Sequence, residues 1–532
     1  MKTRRDLIKS GVLAGAGTAL MPAAYGASAN RSATARTWPR GIENQRIADL
    51  SDGSYLNPVL AGDFADPTVL RDGDEYFMTN SSYDANPGIV LWRSHDLVNW
   101  TPIGPILFAP IGSVWAMDLI KHEGRYFLYI PATPGGKQTI MVMHAAKIDG
   151  PWSEPIDLKI PCIDPGHVVG EDGKRYLFVN GGRRVLLSDD GLATAGPIES
   201  AYSLWRYPDD WVVEMFAPEG PKFFRRGGYL YLTAAVGGTA GPPTSHMVVV
   251  SRSRSVHGPW EQCPHNPIVH TSSADEPWWS RGHATFVEDA TNNWWMVYHG
   301  YENGYRTLGR QVLLDPVRWD EHGWPHAAGG DLSRPIAKPR SGLDAVKGRA
   351  LSDDFSANKF GSQWRFHNPG VAETDRVRYE NGTLVVRGKG TSPADCSPIA
   401  FSACDRAYEI SVTLEELSGS PGGMLLFYNE RAYYGFAFDG HRMLTYAYGQ
   451  QHDWLTSEVA SARVHVKITN DHHIVTMHYS VDGKNWLKHP WQFEVSGVHQ
   501  NVLGGFLSLR PALLASGTGE VRFRDFRYRA LS

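Results

Sequence analysis

Residues 57–104 read NPVLAGDFADPTVLRDGDEYFMTNSSYDANPGIVLWRSHDLVNWTPIG. A carboxylate, Asp66, precedes a short apolar run, Thr68-Val69-Leu70. Turn residues follow at Arg71-Asp72-Gly73-Asp74, then an aromatic run over 75–80 and a third apolar run over 88–94. Short β-rich runs separated by Asp/Gly turns predict an antiparallel meander. Taken alone, Asp66-Pro67 is an ordinary way to start a turn. Its weight comes from recurrence.

The same arrangement returns four more times. The second copy carries Asp118 in the run 114–120, a turn at Glu123-Gly124 and an aromatic strand over 125–130. The third carries Asp164-Pro165, a turn at Asp172-Gly173 and a strand over 175–179. The fourth carries Glu219-Gly220-Pro221, a turn at Gly227-Gly228 and a strand over 229–233. The fifth carries Gly282-His283, a turn at Thr291-Asn292-Asn293 and a strand over 294–299. Closing segments recur as well: Asn99-Trp100, Pro151-Trp152 and Pro259-Trp260. Units of three to four short strands at a spacing of roughly 45–55 residues predict propeller blades around a channel. Five copies predict five blades. Equivalent positions on the inner strands converge on the axis, so Asp66, Asp118, Asp164, Glu219 and His283 are expected to face one small space. A cluster of like charges is costly to assemble, which marks it as functional.

Outside the repeat, residues 1–30 read as a twin-arginine export signal. Arg4-Arg5 leads an Ala/Gly-rich apolar stretch over 10–20, and small residues over 24–29 offer a cleavage site. The apolar part is too short and glycine-rich for a membrane span, and no other stretch predicts one in the mature protein. A periplasmic or secreted bacterial protein is therefore expected. The remaining length, about 500 residues, is enough for two or three cored domains. A net charge of −4 leaves no basic footprint for nucleic acid. With 18 Trp, 23 Tyr and 55 Gly, the chain suits an all-β architecture whose aromatics can also stack on sugar rings. Of the four cysteines, Cys162 and Cys263 stand alone. Cys396 and Cys404 lie close together and could form one disulfide in an oxidising compartment, which their spacing alone leaves open.

The repeats end near Pro325, so the propeller is assigned to residues 50–326. A Gly/Pro/Lys-rich linker follows over 327–350. A second all-β region, 351–532, has candidate strands at 383–386, 406–414, 423–428, 434–439, 463–469, 474–480, 502–509 and 519–529, with Asp-Gly turns between some of them. This reads as a β-sandwich of jelly-roll type. No helix of convincing amphipathic length is predicted after the signal.

Several motifs in order resemble glycoside hydrolase family 43. They are Asp63-Phe64-Ala65-Asp66-Pro67, Asn80-Ser81-Ser82, Ser94-His95-Asp96, Trp115-Ala116-Met117-Asp118, Asp164-Pro165, Glu219-Gly220-Pro221, Gly282-His283 and Leu308-Gly309-Arg310-Gln311. The stretches 239–246 and 301–306 resemble the xylosidase/arabinofuranosidase-like part of that family, and the region after the linker resembles the concanavalin-like sandwich appended to its β-xylosidases. Met117 stands where the family motif usually has proline, for which only a local loop change is expected.

The resemblance implies a five-bladed propeller and an inverting glycosidase. It makes Asp66 the general base, Asp164 the group that orients and tunes the acid, and Glu219 the general acid. Glu214 is a nearby rival for the acid. Phe64, Ser82, Trp115, Asp118, His283 and Arg310 are the candidate substrate contacts, and His283 is also a candidate metal ligand. No cofactor is required on this reading, although a calcium ion on the axis is a further expectation. The partner is an oligosaccharide. The expected activity is release of terminal xylose or arabinofuranose; the alternatives are action on galactan or pectic side chains, or a sugar-binding propeller without turnover.

Overall fold

A computed structural model describes residues 37–343, 345–371, 373–415, 420–459 and 461–531; the expected export signal lies outside them. The chain is nearly all β. Five sheets follow one another, each built in chain order from its innermost strand outward. The inner strands are Thr68–Asp72, Asp118–His122, Gly166–Val169, Glu219–Arg226 and Trp278–Glu288. Each contacts the next, and the fifth contacts the first, so the ring is closed. This is a five-bladed propeller.

The second strand of each blade explains the aromatic, continuous hydrophobicity seen in the sequence. Glu75–Thr79, Arg125–Ala132, Arg175–Val179, Tyr229–Val236 and Trp294–Glu302 are buried along almost their whole length. Both faces of a blade pack on neighbouring blades, so the usual alternation of a half-exposed strand is lost. Five apolar cores fill the spaces between blades. Phe77 and Ile89 meet Leu119 and Leu128; Tyr129 and Val142 meet Leu177 and Val185; Phe178 meets Leu230; Val248 meets Met296; and Val297 and Val312 meet Val69 and Trp92.

Among the described residues no strand is exchanged to close the ring. Instead, the segment before blade one runs along Arg310–Trp319 of blade five. The Val59 amide donates to Val312 O, the Val312 amide to Leu60 O, and the Phe64 amide to Arg310 O. Asn57 exchanges two hydrogen bonds with the backbone of Leu314. Part of the predicted linker is structured: Ile336–Ala337 pairs with Ser54–Tyr55.

The C-terminal region is a sandwich of two antiparallel sheets. Its core, including Leu384, Ile410, Met424, Phe436, Val466 and Phe523, continues to Ala65, Tyr83 and Leu308 of the propeller. Ala85–Asn86 from a blade-one loop adds an edge strand to one sandwich sheet by pairing with Arg365–His367. Arg46 binds Glu302 through two hydrogen bonds of 2.8 Å, and Arg406 reaches the same carboxylate. The two domains therefore share a core and a buried ion cluster.

Two expectations need correction. The predicted strand over 502–509 is absent: a single α-helical turn, Gln500–Leu503, ends at Gly504 and Gly505, both at left-handed φ. No β-strand continues through two such residues, and the strand forms later, at Arg510–Ala515. Cys396 and Cys404 are both free thiols. Cys404 belongs to the core between the sandwich sheets, whereas Cys396 packs in a separate cluster with Leu425, Phe427 and Tyr433. Closeness in sequence did not bring the two thiols into one cluster. Among the described residues no helix is long and apolar enough to cross a membrane.

Candidate active site

The inner strands place their polar residues in layers along the axis. Asp66 and Asp164 each stand two residues ahead of their strand, at φ 57° and 56°, and His283 lies within its strand at φ 61°. Left-handed φ is strained for these residues and tends to mark functional positions. In blade four the left-handed position is Gly220, φ 61°. A Cβ there would lie 2.9 Å from the His283 ring, so only glycine fits. Glu219 thus enters the site from one position ahead of that register. Asp66, Asp164, Glu219 and His283 line a pocket with Tyr83, Trp115, Ala116, Ile163, Thr239, Arg310 and Phe506, a solvent-open space of about 100 Å³.

Asp118 does not belong to this layer. It starts its strand, as Thr68 does in blade one, and Ala116 takes the place facing the pocket. Two residues along a strand is roughly 6–7 Å, enough to move a side chain to the next layer. There Asp118 pairs with Lys222 Nζ at 2.9 Å and accepts the His167 amide at 2.7 Å. Lys222 Nζ also donates to Met117 O and Pro165 O. This buried, fully bonded pair ties blades two, three and four together below the site.

Asp66 is held by many donors. Ser81 Oγ and Tyr83 OH donate to Oδ2 at 2.6 and 3.0 Å, and Arg310 Nη1 donates to Oδ1 at 3.1 Å. Its amide donates to His299 Nδ1 at 3.0 Å, and His283 Nδ1 stands 3.5 Å from Oδ1. Burial alone would raise this carboxyl. Arg310 first, then His283 and His299, outweigh it and hold Asp66 well below the usual carboxylate range. Glu219 behaves oppositely: burial, then the charges of Asp164, Asp66 and Glu214, push it well above its ordinary value. Asp164 is raised by burial and by Asp66, and its Oδ2 accepts the Gly220 amide at 3.1 Å, beside the acid. Two carboxyls in one pocket are pushed in opposite directions, one below and one above the ordinary range, the pattern of an acid–base pair.

Of the other candidates, Trp115 lines the pocket with its indole N–H donated to Ser113 Oγ at 3.0 Å. Arg310 lines it too, and its Nη2 is buried with no protein partner. Phe64 lies behind the pocket, edge-on to Trp92 at 5.1 Å and under the Arg349 guanidinium. Ser82 lies outside the lining with its Oγ unpartnered; its neighbour Ser81 makes the contact to Asp66 instead. Glu214 is exposed on the preceding loop and does not line the pocket.

Several site residues were not picked out from the sequence. Tyr83 follows directly on Asn80-Ser81-Ser82. His299 ends the aromatic strand of the fifth repeat, and His246 ends the 239–246 motif. Phe506 comes from the sandwich, and nothing in the local sequence signals it. It stacks on Tyr83 at 6.3 Å, and the Arg310 guanidinium lies 5.3 Å from its ring centre.

His246 and His283 stand with Glu219, with ligand atoms of all three within 4.8 Å of one another. Both His246 ring nitrogens are buried without a partner. One carboxylate and two imidazoles do not suit calcium, which takes six to eight oxygen ligands.

The family model described as "Glycosyl hydrolases family 43" matches residues 55–325, and "Beta xylosidase C-terminal Concanavalin A-like domain" matches residues 352–529. A non-reducing-end α-L-arabinofuranosidase of Bacteroides ovatus is 30% identical over 341 residues, 60% of this chain and 62% of that protein. A xylan 1,3-β-xylosidase of a Vibrio species is 31% identical over 319 residues, 52% of this chain and 57% of that one. The chain thus spans less than two thirds of the length of these curated relatives. A solved structure from Bacillus licheniformis superposes with a TM-score of 0.80 at 25% identity, covering 90% of this chain and all of that one.

Proposed function

From the chain's place in glycosyl hydrolases family 43, to which it belongs, we propose an exo-acting, inverting glycosidase that releases terminal xylose or arabinofuranose from plant cell-wall oligosaccharides. The observation that carries this reading is that one pocket brings together Asp66, bonded to Ser81, Tyr83 and Arg310 and pulled well below the usual carboxylate range, and Glu219, pushed well above it by burial and by the charges of Asp164 and Asp66.

Asp66 takes a proton from a water molecule as that water attacks the anomeric carbon. Glu219 gives its proton to the glycosidic oxygen as the C–O bond breaks. The anomeric configuration inverts, and both carboxyls return to their starting states when solvent exchanges the two protons. Asp164, itself pushed up to about 8 by burial and by Asp66, acts through Glu219 by its bond to the Gly220 amide, and its charge adds as it ionises at the alkaline end. Arg310 Nη2 offers a sugar hydroxyl the donor that no protein group uses. Trp115 and Phe506 supply flat walls for the sugar ring. A pocket walled on one side by the sandwich favours a chain end over the middle of a polymer.

The twin-arginine pattern at Arg4-Arg5 supports export of the folded enzyme. Changing both arginines to lysine should retain activity in the cytoplasm. The enzymatic reading is tested by hydrolysis of aryl β-xyloside, aryl α-arabinofuranoside and xylo-oligosaccharides, with the product anomer followed by NMR. Release of the inverted anomer from a chain end supports it. No turnover on any of these sugars overturns it.

A further inference from the structure

On the outer rim of the propeller, away from the axis, two turns of adjacent blades bring His265, Asp320 and His326 together. His265 lies in the turn after Glu261–Gln262 of blade four. Asp320 and His326 belong to the hairpin joining Arg310–Trp319 and Pro325–Ala327 in blade five. We propose that these three side chains form a binding site for a zinc-type divalent transition metal that clamps blade five to blade four.

The ligand atoms of the three side chains lie within 4.8 Å of one another, and without a metal His326 Nε2 is within hydrogen-bond distance of Asp320 Oδ2. His326 Nε2 and His265 Nε2 stand 3.2 and 3.5 Å from the same oxygen, Asp320 Oδ2. In a tetrahedral zinc site with bonds of about 2.0–2.2 Å, neighbouring ligand atoms are about 3.3–3.5 Å apart. Two imidazoles and one carboxylate are donors of the right softness for zinc, cobalt or nickel and poor ones for calcium or magnesium. Three protein ligands leave a fourth position for water.

Asp320 and His265 are presented by fixed turns, and His326 by the strand Pro325–Ala327, where it pairs with Arg318. Asp320 Oδ1 accepts the His322 and Trp324 amides at 2.9 and 2.8 Å, which aims Oδ2 at the imidazoles. Trp324 is buried, and the Arg252 guanidinium covers its ring at 3.9 Å while donating to His322 O. The His265 turn is pinned by Asn266, whose side chain exchanges two hydrogen bonds with the Val250 backbone. Such outer contacts hold metal ligands in place before the metal arrives. Both imidazoles are partly exposed, so an ion can enter.

The test uses the full protein, stripped with chelator, titrated with zinc chloride by calorimetry near pH 7.5 and followed by thermal melting. The wild type is compared with His265→Gln/His326→Gln and with Asp320→Asn. The asparagine keeps the acceptor that caps the turn and removes the ligand charge. The wild type should bind one more zinc equivalent than the double variant. Zinc should raise its melting temperature by more, and Asp320→Asn should weaken that equivalent about 10-fold or more. Hydrolysis rates should be alike in all three. Equal zinc stoichiometry in wild type and double variant would overturn the proposal, as would unchanged affinity in Asp320→Asn.

Discussion

Arg310 binds Asp66 with one nitrogen and leaves the other for something else: Nη1 donates to Asp66 Oδ1 at 3.1 Å, while Nη2 is buried in the pocket wall without a protein acceptor. Replacement by methionine removes both. Asp66 is held low by Arg310 ahead of His283 and His299, so its pKa rises in the variant. A base with a raised pKa is protonated at higher pH, and the acidic limb of kcat/KM should move upward. Loss of a charge-assisted hydrogen bond is worth about 1.5–3 kcal/mol, or roughly 10–150-fold in kcat/KM at neutral pH. An unmoved acidic limb would show that Arg310 does not tune the base.

Asp66→Asn and Glu219→Gln should each cost about 10²–10⁴-fold on oligosaccharides with the fold intact, but they should differ on aryl glycosides. Glu219 must protonate a natural leaving group, whereas an activated aryl leaving group needs little help. Glu219→Gln should therefore harm oligosaccharides far more than aryl glycosides, and Asp66→Asn should harm both alike. Equal losses on both substrates for Glu219→Gln would move attention to Glu214.

Asp164→Asn should shift the alkaline limb to lower pH. That limb reports Glu219 losing its proton, and the Asp164 charge stands next to burial among the causes that raise it. The pH–rate profile of the variant on an unactivated substrate is the measurement; an unchanged alkaline limb removes Asp164 as the tuner.

Asp118→Ala and Asp66→Asn should separate stability from chemistry. Removing Asp118 leaves the buried Lys222 ammonium without its carboxylate, at a cost of about 3–5 kcal/mol. Denaturant unfolding should show that loss in Asp118→Ala and little loss in Asp66→Asn. The opposite ranking would place Asp118 in the reactive layer after all.

Phe506→Ala tests the contribution of the sandwich to the pocket. An aromatic contact of this kind is worth about 0.5–1.5 kcal/mol beyond its buried area. KM for a disaccharide should rise several-fold, with kcat much less affected. Steady-state kinetics that match the wild type would show that the ring is only a domain contact.

Much of this protein was legible before any coordinates. Asp66, Asp164 and Glu219 recur ahead of apolar runs, and the aromatic runs some ten residues on gave the blades, because a strand buried on both faces must be apolar throughout. Arg310 and Trp115 were also named from sequence and do line the pocket. What the linear pattern could not resolve was height along the axis. Asp118 fits the repeat by eye, yet two residues of strand put it one layer down, beside Lys222. Ser81 rather than Ser82 meets Asp66 because alternate residues point to opposite sides. Phe506 and the His265–Asp320–His326 group come from segments far apart in the chain, joined only when a sandwich docks and blade four meets blade five. Repetition fixes how the backbone is built. Which side chains share a space depends on register, strain at residues such as Asp66 and Asp164, and the docking of distant segments, and those are properties of the folded chain.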